Sequence, residues 1–492
     1  MGSDTEIGWG SRQRWGFFLG PLLLLATLVL PPPQGLDPAA WATAGAAALM
    51  AAWWMTEAIP IPATALIPLA LFPLVGAGSI RDTASPFADP IIFLFLGGFL
   101  IALAMERWSL HRRIALNIIT RVGTSPAALV GGFMLAAALI SMWVSNTATA
   151  LMMLPVALSV VEVATKAGDR GNFAVALLLG LAYGCNIGGM ATLVGTPPNA
   201  LLAGFMASEY GITLSFVNWL GVGIPIVAVG LPLAYLVLTR LTFPQSGGAL
   251  EGAASAVERD LAAMGPVSRQ EKLVGAVFVL TAVLWVTRPL LLPLLPSLSD
   301  AGIAMAAGVA LFLIPADFGK GEFLMDWPTA RRVPWGTLLL FGGGLSLAGA
   351  FTRTGLSTWI GESMGALAGF PVVIILLVLV TLVVLLTELT SNAATTATML
   401  PVIAAMAIGI GQNPMMLAIP AVLSASCAFM LPVATPPNAI VFGSERITIP
   451  EMAKAGLWLN LGFIVLITAV AYTLVMWVFG VEPGVVPAWA TP

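Results

Sequence analysis

Two copies of one polar pattern lie inside long apolar stretches of this chain. Ser145-Asn146-Thr147 is followed downstream by Thr196-Pro197-Pro198-Asn199, and Ser391-Asn392-Ala393 by Thr435-Pro436-Pro437-Asn438. Hydroxyls and amide N–H groups can donate to a carboxylate, while hydroxyl and amide oxygens can coordinate a small cation. Pro-Pro cuts a helix and frees backbone oxygens where lipid offers them no partner. Half-helix N-termini add partial positive charge for an anion, and unwound carbonyls add oxygens for a cation, so one cluster can hold both. Neither tip contains Lys or Arg. A bound dianion must therefore be balanced by dipoles, hydroxyls and cations that travel with it, which favours coupled movement over simple anion passage. The competing reading makes these residues helix caps and interhelical glue; costly polarity at membrane depth argues for function instead.

The elements that must position these groups are membrane helices. Of 492 residues, 59% are hydrophobic and 9% charged, with a mean hydropathy of +0.98. A soluble domain carries roughly 25% charged residues. The chain thus reads as an all-α polytopic membrane protein. A crossing needs about 20 apolar residues, and eleven candidates run roughly 15–31, 38–57, 60–78, 89–105, 173–208, 215–239, 273–288, 301–316, 335–352, 414–443 and 455–480. Two further apolar stretches, 126–165 and 371–410, each carry a Ser-Asn pair near the middle and read as re-entrant hairpins. With the N-terminus inside, seventeen of the twenty Lys and Arg fall on the cytoplasmic side and only Arg81, Arg288 and Arg353 outside, a strong positive-inside bias. The C-terminus is then external. The first apolar run, Gly16 to Leu30, reads as an uncleaved first helix rather than a signal sequence.

The halves repeat. Ser145, Asn146 and Pro155 recur 246 positions on as Ser391, Asn392 and Pro401, Gly97-Gly98 recurs 245 on as Gly342-Gly343, and the Thr-Pro-Pro-Asn copies are 239 apart. One unit begins outside near residue 89 and the other inside near 335, so the repeat is inverted. The expected division is N-terminal scaffold helices 1–85, a first repeat unit 86–243 with hairpin 126–165, and a cytoplasmic linker 244–272 that includes Gly247-Gly248. A second unit, 273–480 with hairpin 371–410, and an external tail, 481–492, complete it. Inverted repeats with broken helices point to a secondary transporter whose site lies near the midplane.

With its two Ser-Asn tips, its two Thr-Pro-Pro-Asn breaks and the run Thr387-Glu388-Leu389-Thr390-Ser391-Asn392, nearly the whole chain resembles the divalent anion:sodium symporter family, which includes bacterial sodium-dicarboxylate transporters. The resemblance implies an eleven-span protomer in a homodimer, with a dimerising scaffold and a transport part that moves as an elevator. It implies one sodium site at Ser141, Ser145, Asn146 and Gly195, and a second at Thr387, Asn392 and Ala434. The substrate carboxylates would be held by Ser145, Asn146, Thr147, Ser391 and Asn392, with Thr196 and Thr435 close by. The activity so implied is sodium-coupled uptake of a small dianion, first a C4-dicarboxylate such as succinate, malate or fumarate. A sodium-independent exchanger and a sulfate or tricarboxylate carrier of the same fold are the alternatives. Sodium is co-transported, no organic cofactor is expected, and the partners are the dianion, sodium, the lipid bilayer and a second copy of the chain, not nucleic acid. The expected location is the bacterial inner (plasma) membrane. The family's second tip is often Ser-Asn-Thr; Ala393 removes a hydroxyl there. A hydrogen bond to a charged group is worth about 1.5–3 kcal/mol, and Thr395 or Thr396 could compensate.

Other polar residues invite different readings. Glu388, one turn from the second tip, reads as a structural hydrogen-bonding group before a cation site. His111, among Glu106, Arg107, Arg112 and Arg113, reads as part of a helix surface near headgroups. The paired glycines lack the Lys-Ser/Thr of a phosphate loop and suit close helix packing. Trp53, Trp54, Trp108, Trp327 and Trp335 suit aromatic belts. Cys185 and Cys427 make no metal spacing and read as buried thiols. An intramembrane enzyme with Ser145 or Ser391 as nucleophile would need a base nearby, and the one histidine lies elsewhere.

Overall fold

A computed structural model describes residues 10–166, 171–245, 250 and 252–490; Arg170 and the Gly247-Gly248 pair of the linker lie outside the described residues. The described chain is helical apart from one small antiparallel ribbon, Pro315–Asp317 with Glu322–Phe323. Eight helices among the described residues are long and apolar enough to cross a membrane, the longest being Ile449–Phe479, Ile80–Arg107 and Phe216–Thr242. In hydrocarbon the helix is the form that satisfies every N–H and C=O within one segment. The helix starts are written locally. Asp37, Asp89, Ser125, Ser215, Ser268, Ser299, Asn413 and Thr448 each accept a first-turn N–H. Proline, which has no N–H to orphan, opens the helices at Pro38, Pro90, Pro126 and Pro414.

Several sequence expectations change. The run 60–78 is not one crossing helix: it forms two short pieces, Ile61–Thr64 and Ile67–Leu71, because Pro60, Pro62 and Pro68 interrupt the hydrogen-bond ladder. The first two expected crossings are 19-residue helices, Ser11–Val29 and Pro38–Thr56, but fall outside the eight apolar spans. The connection after residue 107 is an amphipathic helix, Leu110–Val122, and the linker contains another, Ala253–Ala263, packed against it. Trp54 is fully buried, its Nε1 donating to Ile61 O, so it belongs to the core rather than to a belt.

By the topology expected from the sequence, the bonds between loops fall into two sets. One joins Arg12 to Met55, Glu106 to Arg332, Arg107 to Glu322 and Asp326, Arg112 to Asp260, and Arg113 to Glu271. The other joins Gln34 to Trp359, Ala77 to Arg353, Glu209 to Thr352, Arg288 to Asp300, and Gln412 to Gly484. The member with the most bonds is Arg113, which pairs with Glu271 at 2.6 Å and donates to the carbonyls of Met264, Gly265 and Pro266, fixing the linker's end onto Leu110–Val122.

The paired glycines are contact points. A Cβ added at Gly97 would lie 2.4 Å from the backbone carbon of Ala304, and one at Gly343 2.4 Å from Ala65 O, whereas at Gly98 the nearest atom would be Val194 Cγ1 at 3.4 Å. Gly97→Ala is therefore expected to force two helices apart and cost about 1–3 kcal/mol. Gly98→Ala, in the same helix, is expected to be neutral or to stabilise by up to about 1 kcal/mol. Thermal unfolding of the two variants in one detergent checks the contrast.

Candidate functional site

Each Ser-Asn motif lies at a turn of unwound backbone between two helices: Pro126–Ser141 and Asn146–Lys166, and Val372–Thr387 and Asn392–Gly409. The same bond closes both turns. Ser141 Oγ donates to Asn146 Oδ1 at 2.5 Å, and 246 residues on Thr387 Oγ1 donates to Asn392 Oδ1 at 2.7 Å. Both asparagine oxygens are thereby drawn toward the wall. Neither Nδ2 donates to any described residue, which leaves two amide NH2 groups for the space in front. In the first turn, Trp143 stacks on Phe216 and Trp285, ring centroids 5.9 and 6.5 Å away, and meets Phe278 edge-on at 5.0 Å. Leu389, 246 positions on, is 58% exposed.

The two Thr-Pro-Pro-Asn motifs each begin a helix after a break. Asn172–Gly189 resumes as Pro197–Tyr210, and Pro414–Ala425 resumes as Pro436–Phe442. The motif asparagine ties each break together. Asn199 Nδ2 donates to Gly189 O and Thr192 O at 3.3 and 2.8 Å; Asn438 Nδ2 donates to Ala428 O and Leu431 O, both at 3.1 Å, the same pair of positions 239 residues on. Otherwise the breaks are held differently. Trp219 Nε1 donates to Met190 O in the first, at 3.1 Å. In the second, the buried Glu388 carboxylate accepts the N–H groups of Phe429, Met430 and Leu431 at 2.8–3.1 Å and Asn460 Nδ2 at 2.7 Å. The structural reading of Glu388 matches this geometry.

Turns and breaks meet at one cavity of about 1170 Å³. Ser145, Asn146, Thr147, Thr196, Ser391, Asn392 and Thr435 all line it, as do Gly195 and Ala434. Ser141 and Thr387 do not; both are fully buried behind the asparagines they bond. The charged or titratable lining residues, Glu57, Glu106, His111 and Arg332, come from the loop set rich in basic residues and mark the mouth. His111 is not a surface residue: it is 4% exposed, its Nδ1 lies 3.1 Å from Met105 O, and burial holds its pKa below the usual histidine value.

The cavity depth offers helix N-termini and no cationic side chain. The helices starting at Asn146, Asn392 and Pro197 have 21, 18 and 14 residues, and the helix at Pro436 has 7; all four begin at the lining. A helix N-terminus carries roughly +0.5 charge, so the three longer ones alone supply roughly +1.5 to a bound dianion. Ser145 Oγ accepts the N–H of Ala148 at 3.2 Å, and Ser391 makes no cap bond, so both hydroxyl protons are free to be donated forward.

Behind each asparagine lies a cluster of oxygens. A Cβ added at Gly189 would sit 2.8 Å from Asn146 Oδ1 and 3.1 Å from Gly195 O, a recess that only glycine leaves open. In the second half, Thr387 Oγ1 lies 2.7 Å from both Asn392 Oδ1 and Ala425 O. One proton serves three oxygens there, an excess of lone pairs that a small cation would relieve.

Neither Thr395 nor Thr396 replaces the hydroxyl absent at Ala393. Thr395 Oγ1 is 2.5 Å from Thr390 Oγ1, Thr396 Oγ1 donates to Asn392 O, and neither lines the cavity. Asn186 was missed by sequence reasoning although it lines the cavity; the available signal was a lone amide in the apolar run Leu177–Cys185 and beyond. Asn460, the side-chain partner of Glu388, was missed in the same way.

The sequence profile described as the sodium:sulfate symporter transmembrane region matches residues 11–481. The sodium-dependent dicarboxylate transporter SdcS of Staphylococcus saprophyticus is 41% identical over 481 residues, 96% of this chain and 93% of that protein. SdcS of Staphylococcus aureus strain USA300 is also 41% identical, over 98% of this chain and 94% of its own length. Among solved structures, the Alcanivorax borkumensis YdaH transporter superposes with a TM-score of 0.57 at 16% identity, over 94% of this chain and 98% of that one. Neisseria gonorrhoeae MtrF gives a TM-score of 0.60 at 12% identity, over 96% and 97%. These two are likenesses of fold.

The Glu388 clamp yields a prediction. Glu388→Ala strips four buried or half-buried donors of their acceptor, each worth about 1–3 kcal/mol when left unmade in the interior, so a loss of several kcal/mol is expected. Glu388→Gln, which keeps one carbonyl oxygen, should lose less. Detergent melting curves rank the three proteins; an unchanged Ala variant would mean that the carboxylate does not hold the break.

Proposed function

Since the chain belongs to the sodium:sulfate symporter family, the divalent anion:sodium symporters, we propose that it is an integral membrane transporter that takes up C4-dicarboxylates with sodium. The observation that carries this reading is the cavity. Paired Ser-Asn turns and four helix starts line it, it holds no cationic side chain at depth, and an oxygen cluster lies behind each asparagine. The named relatives with 41% identity are sodium-dependent dicarboxylate transporters.

Each asparagine works in two directions. Sodium at Ser141, Ser145, Asn146 and Gly195, and at Thr387, Asn392 and Ala434, draws the amide oxygen toward itself and turns Nδ2 toward the cavity. There Nδ2 donates to a substrate carboxylate, joined by the hydroxyls of Ser145, Thr147, Thr196, Ser391 and Thr435. Because the amide is planar, a cation on one edge orders the donor on the other. Each ligand then favours the same state, which is the condition for coupling.

The cavity mouth shares a face with most of the basic loops, so by the positive-inside bias this is a cytoplasm-facing state in a bacterial plasma membrane, with the N-terminus inside and the C-terminus outside. We read the chain as eleven spans with two re-entrant hairpins in an inverted repeat, a homodimer, and an elevator that carries the site across. The repeated Ser/Thr-to-Asn and Asn-to-carbonyl bonds support the repeat.

Proteoliposomes given labelled succinate should accumulate it under an inward sodium gradient and not under a matched potassium gradient. Uptake that ignores sodium and needs internal dicarboxylate would make the protein an exchanger. Asn146→Ala and Asn392→Ala should each weaken sodium and succinate together, by about tenfold or more for the anion; if either variant keeps wild-type sodium-dependent uptake, the assignment of the site fails. Ala393→Thr should tighten succinate by about tenfold, read as a lower half-saturation concentration.

A further inference from the structure

We infer that Asn186 is a positioning residue that sets the Thr435 hydroxyl to donate into the cavity, reaching from the first half of the chain to complete the anion site of the second. The inference rests on the dicarboxylate reading of that cavity. Asn186 lies in Asn172–Gly189, the helix before the first break, yet its Nδ2 donates to Thr435 Oγ1 at 3.1 Å and Asn438 Oδ1 at 3.3 Å, both at the second break.

The orientation of each group follows from its neighbour. Asn438 Nδ2 is committed to Ala428 O and Leu431 O, so the other edge of that amide must be its oxygen, an acceptor. Asn186 must then turn Nδ2 toward it, and the same NH2 reaches Thr435. Thr435 Oγ1 accepts this bond and a second from the N–H of Asn438 at 3.3 Å. With both lone pairs engaged, its single O–H can only be a donor elsewhere. Thr435 lines the cavity, and among the described residues no acceptor takes that proton.

The arrangement has a cost, one that Asn199 and Asn460 also carry, since their Oδ1 atoms are likewise buried without a partner. Asn186 is 2% exposed and its Oδ1 is buried without a partner, a position that costs about 1–3 kcal/mol. It is also one-sided. The position 239 residues on, the spacing of the Thr-Pro-Pro-Asn copies, is Ala425, and Thr196 makes no cap bond of its own. The Thr435 hydroxyl is therefore held in one orientation where the Thr196 hydroxyl is not. It lies in the half whose tip carries Ala393 in place of a hydroxyl, so a fixed donor there stands in for the missing one.

The test is a double-mutant cycle on succinate uptake in proteoliposomes, with Asn186→Ala, Thr435→Val and the pair. Thr435→Val should raise the half-saturation concentration about tenfold and Asn186→Ala about three- to tenfold, with maximal rate and sodium half-saturation little changed. Because Asn186 acts through Thr435, the pair should match Thr435→Val alone to within about twofold. Asn186→Ser, which keeps an O–H donor, should fall between wild type and Ala, and it carries the same cycle if the Ala variant does not reach the membrane. Effects that multiply in the double variant, or an Asn186→Ala protein with wild-type half-saturation, overturn the inference while leaving the transport reading intact. A wild-type protein that moves no succinate with sodium overturns the transport reading, and this role with it.

Discussion

Backbone groups freed at membrane depth must find partners inside the protein, because hydrocarbon supplies none. Two helix breaks and two hairpin turns free a large number of them in this chain, and much of the surrounding structure exists to receive them. Asn199 and Asn438 collect carbonyls on one side of each break, while Glu388 collects three successive N–H groups on the second. What is left after this pairing is an ordered set of helix starts and amide edges turned toward one cavity. The site is thus a remainder, made of the groups that the scaffold does not consume.

The two halves solve the same problem by different means. In the first, break and turn are held by neutral groups, Trp219 on Met190 O and Thr192 on Met142 O, with Gly223 admitting the backbone of Ala191 to within contact. In the second, a carboxylate does the work, backed by Asn460 and by Gly456, where a Cβ would strike Phe429 O at 2.4 Å. The halves therefore share their chemistry at the cavity and diverge behind it. A repeat recognised through its site residues alone would miss this divergence.

What could be read in the sequence were features that a residue type announces by itself. Ser-Asn and Thr-Pro-Pro-Asn in apolar surroundings located both turns and both breaks, and the paired glycines located close helix contacts such as Gly97 on Ala304. The failures came where neighbours decide. Hydropathy sees the run 60–78 as one crossing, but three prolines divide it. Trp54 sits at an expected span end and His111 in an expected cytoplasmic connection near headgroups, yet tertiary packing buries both. Thr395 and Thr396 stood close enough in sequence to replace a hydroxyl at position 393, but helix geometry sends their hydroxyls to Thr390 and to a backbone carbonyl. Asn186 carried no motif, and its role depends on a partner 249 residues away.

The composition of the cavity wall has one more consequence. It is made of serine, threonine and asparagine side chains, with glycine, alanine, proline, aliphatic, methionine and phenylalanine residues between them; Glu57, Glu106, His111 and Arg332 stand at the opening. None of the wall groups gains or loses a proton anywhere near neutral pH. A pocket that attracts negative charge with fixed dipoles keeps the same grip in acid and in alkali. An acid–base signature must then come from the cargo, whose own ionisation decides how many charges arrive, or from the titratable side chains at the opening.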